Sequence, residues 1–330
     1  MRSRHIDIND KYVFEWPALN ESQREFVTSK APFTMLSGGF GSGKTTALVW
    51  KVIVMMHDSE WFGDLTGNVG IVGRLRYTDF EKTTLSELFR WLPRQLIRQH
   101  YRKDGILELI NGSVLHFTHF DSMEHLQSYN IGFAAVDQAE QIDWEVFKSI
   151  GYERTRLKTL SRYDNDGKLI IPEFNRSGEC ISTNEEERNA VLKIQCAFGA
   201  CNPRRGWIYN KFVKNEKYKD SPIESIRKKY NPDYKLIMSS TYENERNLPQ
   251  GYIERQKRDK SKRDFQRSVL GLWDVFEGQV YCDFKDELVL EKKLIPHPSW
   301  EVYVGVDHGG TGFDDKKMSG VTAITFGAIE

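Results

Sequence analysis

Apolar residues along the chain gather in short dense runs that alternate with stretches of helical spacing. Phe33-Thr-Met-Leu-Ser is one such run, of strand length, and after a glycine-rich break Ala47, Leu48, Val49, Val52 and Ile53 recur at helical spacing. Val69-Gly-Ile-Val-Gly-Arg74 reads as a second buried strand, followed by a helix over 78–96. Residues 106–117 form two apolar-rich arms around Asn111-Gly112, the turn pair of a β-hairpin. Ile131 to Val136 is almost continuously apolar and is closed by Asp137, and a further strand runs into Asn202-Pro203. A helix is expected around Gln23, and 162–187 is polar enough to be an exposed insertion. Strands alternating with helices predict an α/β fold on a mainly parallel sheet, with ligands gathered at the carboxyl ends of the strands.

Composition narrows the setting. The 330 residues are 39% hydrophobic and 28% charged, enough apolar material for one large core or two, which excludes wholesale disorder. The longest apolar candidate, Ala47 to Met56, is short and interrupted by Lys51, so no membrane segment is expected. Charge begins at Arg2, without the apolar stretch of a secretory signal, and the four cysteines form no C-x-x-C pair. A soluble, cytosol-like compartment with reduced thiols is the expectation. Basic and acidic residues balance at 47 each, but 18 Lys and Arg face 9 Asp and Glu between Cys201 and Arg267. Within that stretch Glu254 to Arg267 carries seven cations and three anions at spacings compatible with one helix. Such a strip suits a phosphate backbone, or simply a solvated helix face laced with ion pairs.

The sharpest chemical signal is Gly38-Gly39-Phe40-Gly41-Ser42-Gly43-Lys44-Thr45-Thr46, between the first strand and the helix after it. A strand, a G-x-x-x-x-G-K-T loop and a helix together form a phosphate-binding P-loop. Its glycines let backbone N–H groups turn inward, and the helix adds the positive end of its dipole. Lys44 is expected on the β- and γ-phosphates of ATP, and the Thr45 hydroxyl on Mg²⁺. Asp137 is the expected second holder of that ion. Gln138 cannot act as a base, which leaves Glu140 to polarise the attacking water. Gln23 offers an amide that both donates and accepts, as an adenine edge requires. Asn202 at a strand tip is a candidate sensor of the γ-phosphate, or an ordinary Asn-Pro turn. His116 and His119 have no evident carboxylate partner in the sequence and read as structural.

Taken in order, the Gln23 segment, GGFGSGKT, VDQAEQI, Phe198-Gly-Ala-Cys-Asn-Pro, the 242–252 and 270–281 stretches and Val302-Tyr-Val-Gly-Val-Asp307 resemble one family. It is the large terminase subunit of tailed bacteriophages, the ATPase that pumps DNA into proheads. The resemblance implies an ASCE-type P-loop ATPase domain over 1–270, a linker over 271–300 and the start of an RNase H-like nuclease over 301–330. It gives Asp307 the role of first nuclease metal ligand, for Mg²⁺ or Mn²⁺. Because the sequence stops at Glu330, before later acids, no metal-dependent cleavage is expected of this chain alone. The implied partners are double-stranded DNA, the prohead portal, the small terminase subunit and further copies of the chain in a ring, in the host cytoplasm and without a membrane. Two departures stand out: Phe40 replaces the arginine many terminases carry in the loop, and Gln138 replaces the acid after Asp137. A trans-acting arginine is then expected, with Arg74 and Arg154 preferred over Arg76 and Arg156. A helicase-like or repair ATPase and a slow nucleotide-gated assembly switch stay open as alternatives.

Overall fold

The computed structural model describes residues 4–6, 12–14, 18–121, 124–273, 301–307 and 323–329. Contacts divide the chain into two units, 1–278 and 279–330; a linker was expected over 271–300. Most of that linker lies outside the described residues.

The first unit is built on an eight-stranded sheet. In chain order its strands are β1 (Phe33–Gly38), β2 (Val69–Arg74), β3 (Ile97–Tyr101), β4 (Ile106–Leu109), β5 (Val114–His119), β6 (Phe133–Asp137), β7 (Cys196–Cys201) and β8 (Tyr234–Ser239). Their spatial order is β8-β1-β7-β6-β2-β5-β4-β3. The first six are mutually parallel, and β4 turns back antiparallel to both β5 and β3. The glycine loop therefore leaves β1, the Asp137 strand is β6, and β7 lies between them.

Period-two alternation sorts the central strands between two apolar layers. Phe133 and Ala135 of β6, with Phe198 and Ala200 of β7, face one layer; Ala134, Val136 and Ala197 face the other. The first layer is closed by α1 (Glu21–Thr28), α2 (Lys44–Val54) and the helical segment 77–91. The second is closed by Phe147, Ile150, Ile208 and Phe212 from the connections after β6 and β7.

The helix expected over 78–96 stops at Trp91. Pro93 holds Leu92 in an extended conformation, and after one short turn the chain enters β3. That strand, Ile-Arg-Gln-His-Tyr, lies at the sheet edge and lacks clean alternation, so its sequence carried little strand signal. The single helix expected over 254–267 is likewise corrected to two, Tyr252–Asp259 and Lys262–Ser268. Lys260 is extended, and the Ser261 side chain accepts from the Asp264 amide, starting a new helix rather than continuing the old one. The 162–187 insertion has isolated bridges at Tyr163–Leu169 and Phe174–Cys180 and is largely exposed.

Lys51, which interrupted the apolar run, is wholly buried. Its Nζ donates to the Phe26 carbonyl at 2.9 Å and the Ser29 carbonyl at 2.8 Å, and lies 5.0 Å from the Phe26 and Phe198 ring centroids. It thereby caps the end of α1 from α2. Burial pushes its pKa down to about 8 from 10.5. Lys51→Ala is expected to cost about 3 kcal/mol in urea unfolding at pH 7, from the cavity and two orphaned carbonyls. The unfolded chain keeps the proton more tightly, so deprotonation adds stability as pH rises from about 8 to 10.5. The variant lacks that contribution; an unchanged midpoint and pH profile would refute the role.

In the second unit β9 (Glu301–Asp307) pairs antiparallel with β10 (Ala323–Ile329), from Glu301 opposite Ile329 to Asp307 opposite Ala323.

Candidate nucleotide site

The loop after β1 is shaped by close packing as much as by flexibility. Gly43 begins α2 at φ +82°, and a Cβ there would lie 2.2 Å from Gln23 Nε2. Gln23 is buried and bonded at both ends of its amide: Nε2 donates to the Gly43 carbonyl at 3.0 Å, and Oε1 accepts from the Asn20 amide at 3.0 Å. The expected adenine contact is thus a residue packed on the loop itself. Ser42 is also turned inward, its hydroxyl donating to the Gly39 carbonyl at 2.9 Å. The Thr46 hydroxyl donates to Glu87 at 2.8 Å, so only its backbone remains for phosphate.

Lys44 Nζ donates to the carbonyls of Gly38 at 2.9 Å and Gly39 at 2.7 Å. Burial pushes its pKa down, opposed by Cys201, Glu140 and Asp137. The ammonium thus lies within the electrostatic reach of both acids. A phosphate would take over the loop carbonyls' place as its partner.

Thr45 and Asp137 meet across the cleft, Thr45 Oγ1 lying 3.5 Å from Asp137 Oδ1. The Gln138 amide donates to the same oxygen at 3.1 Å. The other oxygen, Oδ2, accepts from Thr84 Oγ1 at 2.6 Å and lies 3.8 Å from Arg74 Nε. Two hard oxygen donors side by side, one of them a carboxylate, fit Mg²⁺.

Gln138 is the only described non-glycine residue with positive φ, at 52°. This tight turn starts the 3₁₀ turn Ala139–Gln141, which carries Glu140. Asn202, just past β7, donates from Nδ2 to Glu140 Oε1 at 2.8 Å. Glu140 Oε2 is buried with no hydrogen-bond partner among the described residues. Burial raises the Glu140 pKa, partly offset by its hydrogen bonds, including those from Asn202, and by Lys44. A buried carboxylate with one oxygen held and the other unpartnered has the chemistry of a base awaiting a proton donor.

The two preferred arginines fall in different places. Arg74, at the end of β2, is 6% exposed; its Nη1 donates to Thr83 Oγ1 at 2.6 Å and it pairs with Asp137 of its own chain. That corrects the expectation of a trans-acting Arg74: its charge is spent within its own site. Arg154 is not brought to the cluster. Its carbonyl accepts from the Ile131 amide before β6, its Nη1 donates to the Gln127 carbonyl at 2.9 Å, and Glu153 pairs with it. It lies at the strand end opposite Asp137, about 20 Å away along the chain direction. His119 pairs with Asp121 at 3.4 Å, a partner the sequence did not suggest. Asp307 ends β9 in the other unit; its surroundings lie outside what the structure describes. Among the described residues no group of three or more His, Cys, Asp or Glu could hold a metal ion.

The loop tip is held by residues that sequence reasoning missed. Thr241 Oγ1 donates to the Phe40 carbonyl at 2.9 Å, Asn244 Nδ2 to the Gly41 carbonyl at 2.7 Å, and the Phe40 amide to the Ser268 carbonyl at 2.6 Å. Gly39 is required here, since a Cβ would lie 2.5 Å from the Val269 carbonyl and 2.6 Å from that of Ser268. Lys260 places Nζ 5.3 Å from the Phe40 ring centroid and donates to Ser268 Oγ at 2.6 Å. No spacing in the sequence links these residues to the loop, because the links run over 200 positions.

The parallel sheet, the glycine loop opening a helix and the acid strand separated from the loop strand by one intervening strand define an α/β protein of the P-loop type. Its fold is shared with solved large terminases. The large terminase of a thermophilic bacteriophage matches with TM-score 0.53 at 16% identity, over 89% of this chain and 63% of that one. The same protein in complex with ADP matches with TM-score 0.52 at 16% identity, over 94% of this chain and 65% of that one. The Thermus phage P74-26 large terminase ATPase domain matches at 13% identity and TM-score 0.48, over 77% of this chain and 94% of that domain. This chain therefore spans less than two thirds of the length of the first of these proteins. No protein-family model matches the sequence, and no curated protein does.

Proposed function

We propose that this chain is the ATPase engine of a large-terminase-type DNA-packaging motor. The observation that carries the ATPase reading is the convergence of Lys44, at the start of α2, with Asp137 and Glu140, at the end of β6 and in the turn after it, around one glycine loop. The phosphates of ATP rest on Gly38–Thr45 with the Lys44 ammonium on the β- and γ-oxygens. Thr45 and Asp137 hold Mg²⁺, which neutralises phosphate charge when bound. Glu140 Oε2 takes the proton of the attacking water while Oε1 stays on Asn202, so loss of γ-phosphate is felt at Asn202 and in the chain after it. Gln23 keeps the loop in register beside the base.

The packaging part rests on the shared fold and on charge. The helices Tyr252–Asp259 and Lys262–Ser268 expose Arg255, Lys257, Arg258, Lys262 and Arg263 beside the loop tip that Ser268 binds. A sequence-indifferent hold on duplex phosphates needs only such charges. Portal, small subunit and ring neighbours are carried as partners, with a neighbour's arginine completing each site. Asp307 is carried as a nuclease metal ligand. The chain works away from the bilayer in this reading; among the described residues no helix is long and apolar enough to cross a membrane.

The test is phosphate release from ATP at increasing protein concentration, with and without linear duplex DNA. Specific activity is expected to rise with concentration and with DNA, as a site completed in trans requires. A rate at background in every condition would refute the ATPase reading. Hydrolysis indifferent to both variables would leave an ATPase but remove the ring motor.

A further inference from the structure

The helical segment 77–91 contains a π-turn at Glu81–Leu85, between Tyr77–Phe80 and Ser86–Trp91. Such turns widen the helix by one residue and cost hydrogen-bond geometry, so their position calls for a reason. Here the turn carries Thr83 and Thr84. β2 and β6 are adjacent parallel strands ending at Arg74 and Asp137. Their spacing is about 4.8 Å, close to the 3.8 Å between consecutive Cα atoms. The widened turn sets one hydroxyl on each strand end. Thr83 Oγ1 accepts from Arg74 Nη1 at 2.6 Å and donates to the Asp79 carbonyl at 2.7 Å. Thr84, a residue 1% exposed, donates from Oγ1 to Asp137 Oδ2 at 2.6 Å.

The two oxygens of Asp137 are therefore divided. Oδ1 faces Thr45 and the Gln138 amide; Oδ2 is held by Thr84 and approached by Arg74. Fixing one oxygen fixes the plane of the carboxylate and thus where the other points. We propose that Thr84 is a positioning residue for Asp137, with Thr83 holding Arg74 beside it, so that the π-turn presents Oδ1 to the divalent cation of a bound nucleotide. This rests on the reading of the site as a nucleotide·Mg²⁺ site and adds the residues that aim its acid.

The test measures metal binding directly, with Mn²⁺ followed by electron paramagnetic resonance in the presence of ADP, and ADP affinity separately in EDTA. Thr84→Val keeps shape and removes the donor. It is expected to weaken Mn²⁺ binding about tenfold, the loss of one hydrogen bond to a charged group, while metal-free ADP affinity stays within about twofold of wild type. Thr84→Ser should restore most of the loss. Wild-type Mn²⁺ affinity in Thr84→Val would overturn the proposal. So would an equal loss of ADP affinity with and without metal, which marks a merely structural threonine, or a serine variant that rescues nothing. If the valine variant fails to fold, Thr84→Ala against Thr84→Ser makes the same comparison. Wild-type protein that binds no ADP, or ADP without Mn²⁺, would instead refute the nucleotide·metal reading on which the proposal stands; Mn²⁺ bound by wild type and equally well by Thr84→Val would refute the proposal alone.

Discussion

Lys44→Ala is expected to lower ATP hydrolysis at least a hundredfold and to weaken ATP binding about tenfold or more, the scale of losing charged donors to a developing phosphoryl charge. Two things make the effect large. Among the described residues the ammonium is the one side-chain cation bonded to the loop carbonyls, and it is largely desolvated within the electrostatic reach of both acids. No nearby group substitutes: Arg74 is committed to Asp137 and Thr83, and Lys260 to Ser268 and the Phe40 ring. The comparison is steady-state phosphate release and equilibrium titration with a fluorescent ATP analogue, wild type against variant. Hydrolysis within threefold of wild type would show that the phosphates sit elsewhere.

Glu140→Gln is expected to separate binding from chemistry. The amide keeps the shape and an oxygen for Asn202 but cannot accept the proton of water, so turnover should fall by roughly 10²–10⁴ while ATP affinity holds. The linkage gives a second, opposite-looking outcome. The Glu140 pKa is raised by burial, so the folded chain holds its proton to higher pH than the unfolded one. Stability from that group is full at low pH and is lost as pH rises through the raised folded value; at neutral pH the carboxylate is a cost. The glutamine variant should therefore melt at a higher temperature than wild type at pH 7 and lose that advantage in acid. Wild-type turnover should also decline as pH falls through the Glu140 ionisation, since only the carboxylate is a base. An inactive variant that melts lower would point to a structural role; an active one would hand the base to another residue.

Legibility from sequence followed the range of each interaction. The phosphate loop was readable because its parts are local: Phe33–Gly38, the turn at Gly43 and the apolar face of α2 are contiguous and carry strand, turn and helix signals in order. The strand ending at Asp137 was readable for the same reason, as an apolar run closed by one acid. The helix breaks at Pro93 and Ser261 depended on single residues inside otherwise helical stretches, and the periodic signal outvoted them. The hydroxyl of Thr84 on Asp137 and the grip of Thr241, Asn244 and Ser268 on the loop were illegible, because threonine, asparagine and serine have no spacing code for partners 53 to 228 residues away. Arg74 was legible as the end of an apolar strand, whereas the place of Arg154, beside the amino end of the Asp137 strand, followed only from the folded chain, where its carbonyl accepts from the Ile131 amide.

By itself the sequence determined the strand, glycine turn and helix around Lys44 and the strand that ends at Asp137, since both depend on residue types in short local patterns whose backbone geometry glycine and an apolar strand dictate. Tertiary structure decided which oxygen of Asp137 faces Thr45, which oxygen of Glu140 stays unpartnered, and that Arg74 serves its own site. Those outcomes turn on β7 lying between β1 and β6 and on a helix crossing the ends of β2 and β6, and strand order is a property of the packed sheet that no local stretch of chain encodes.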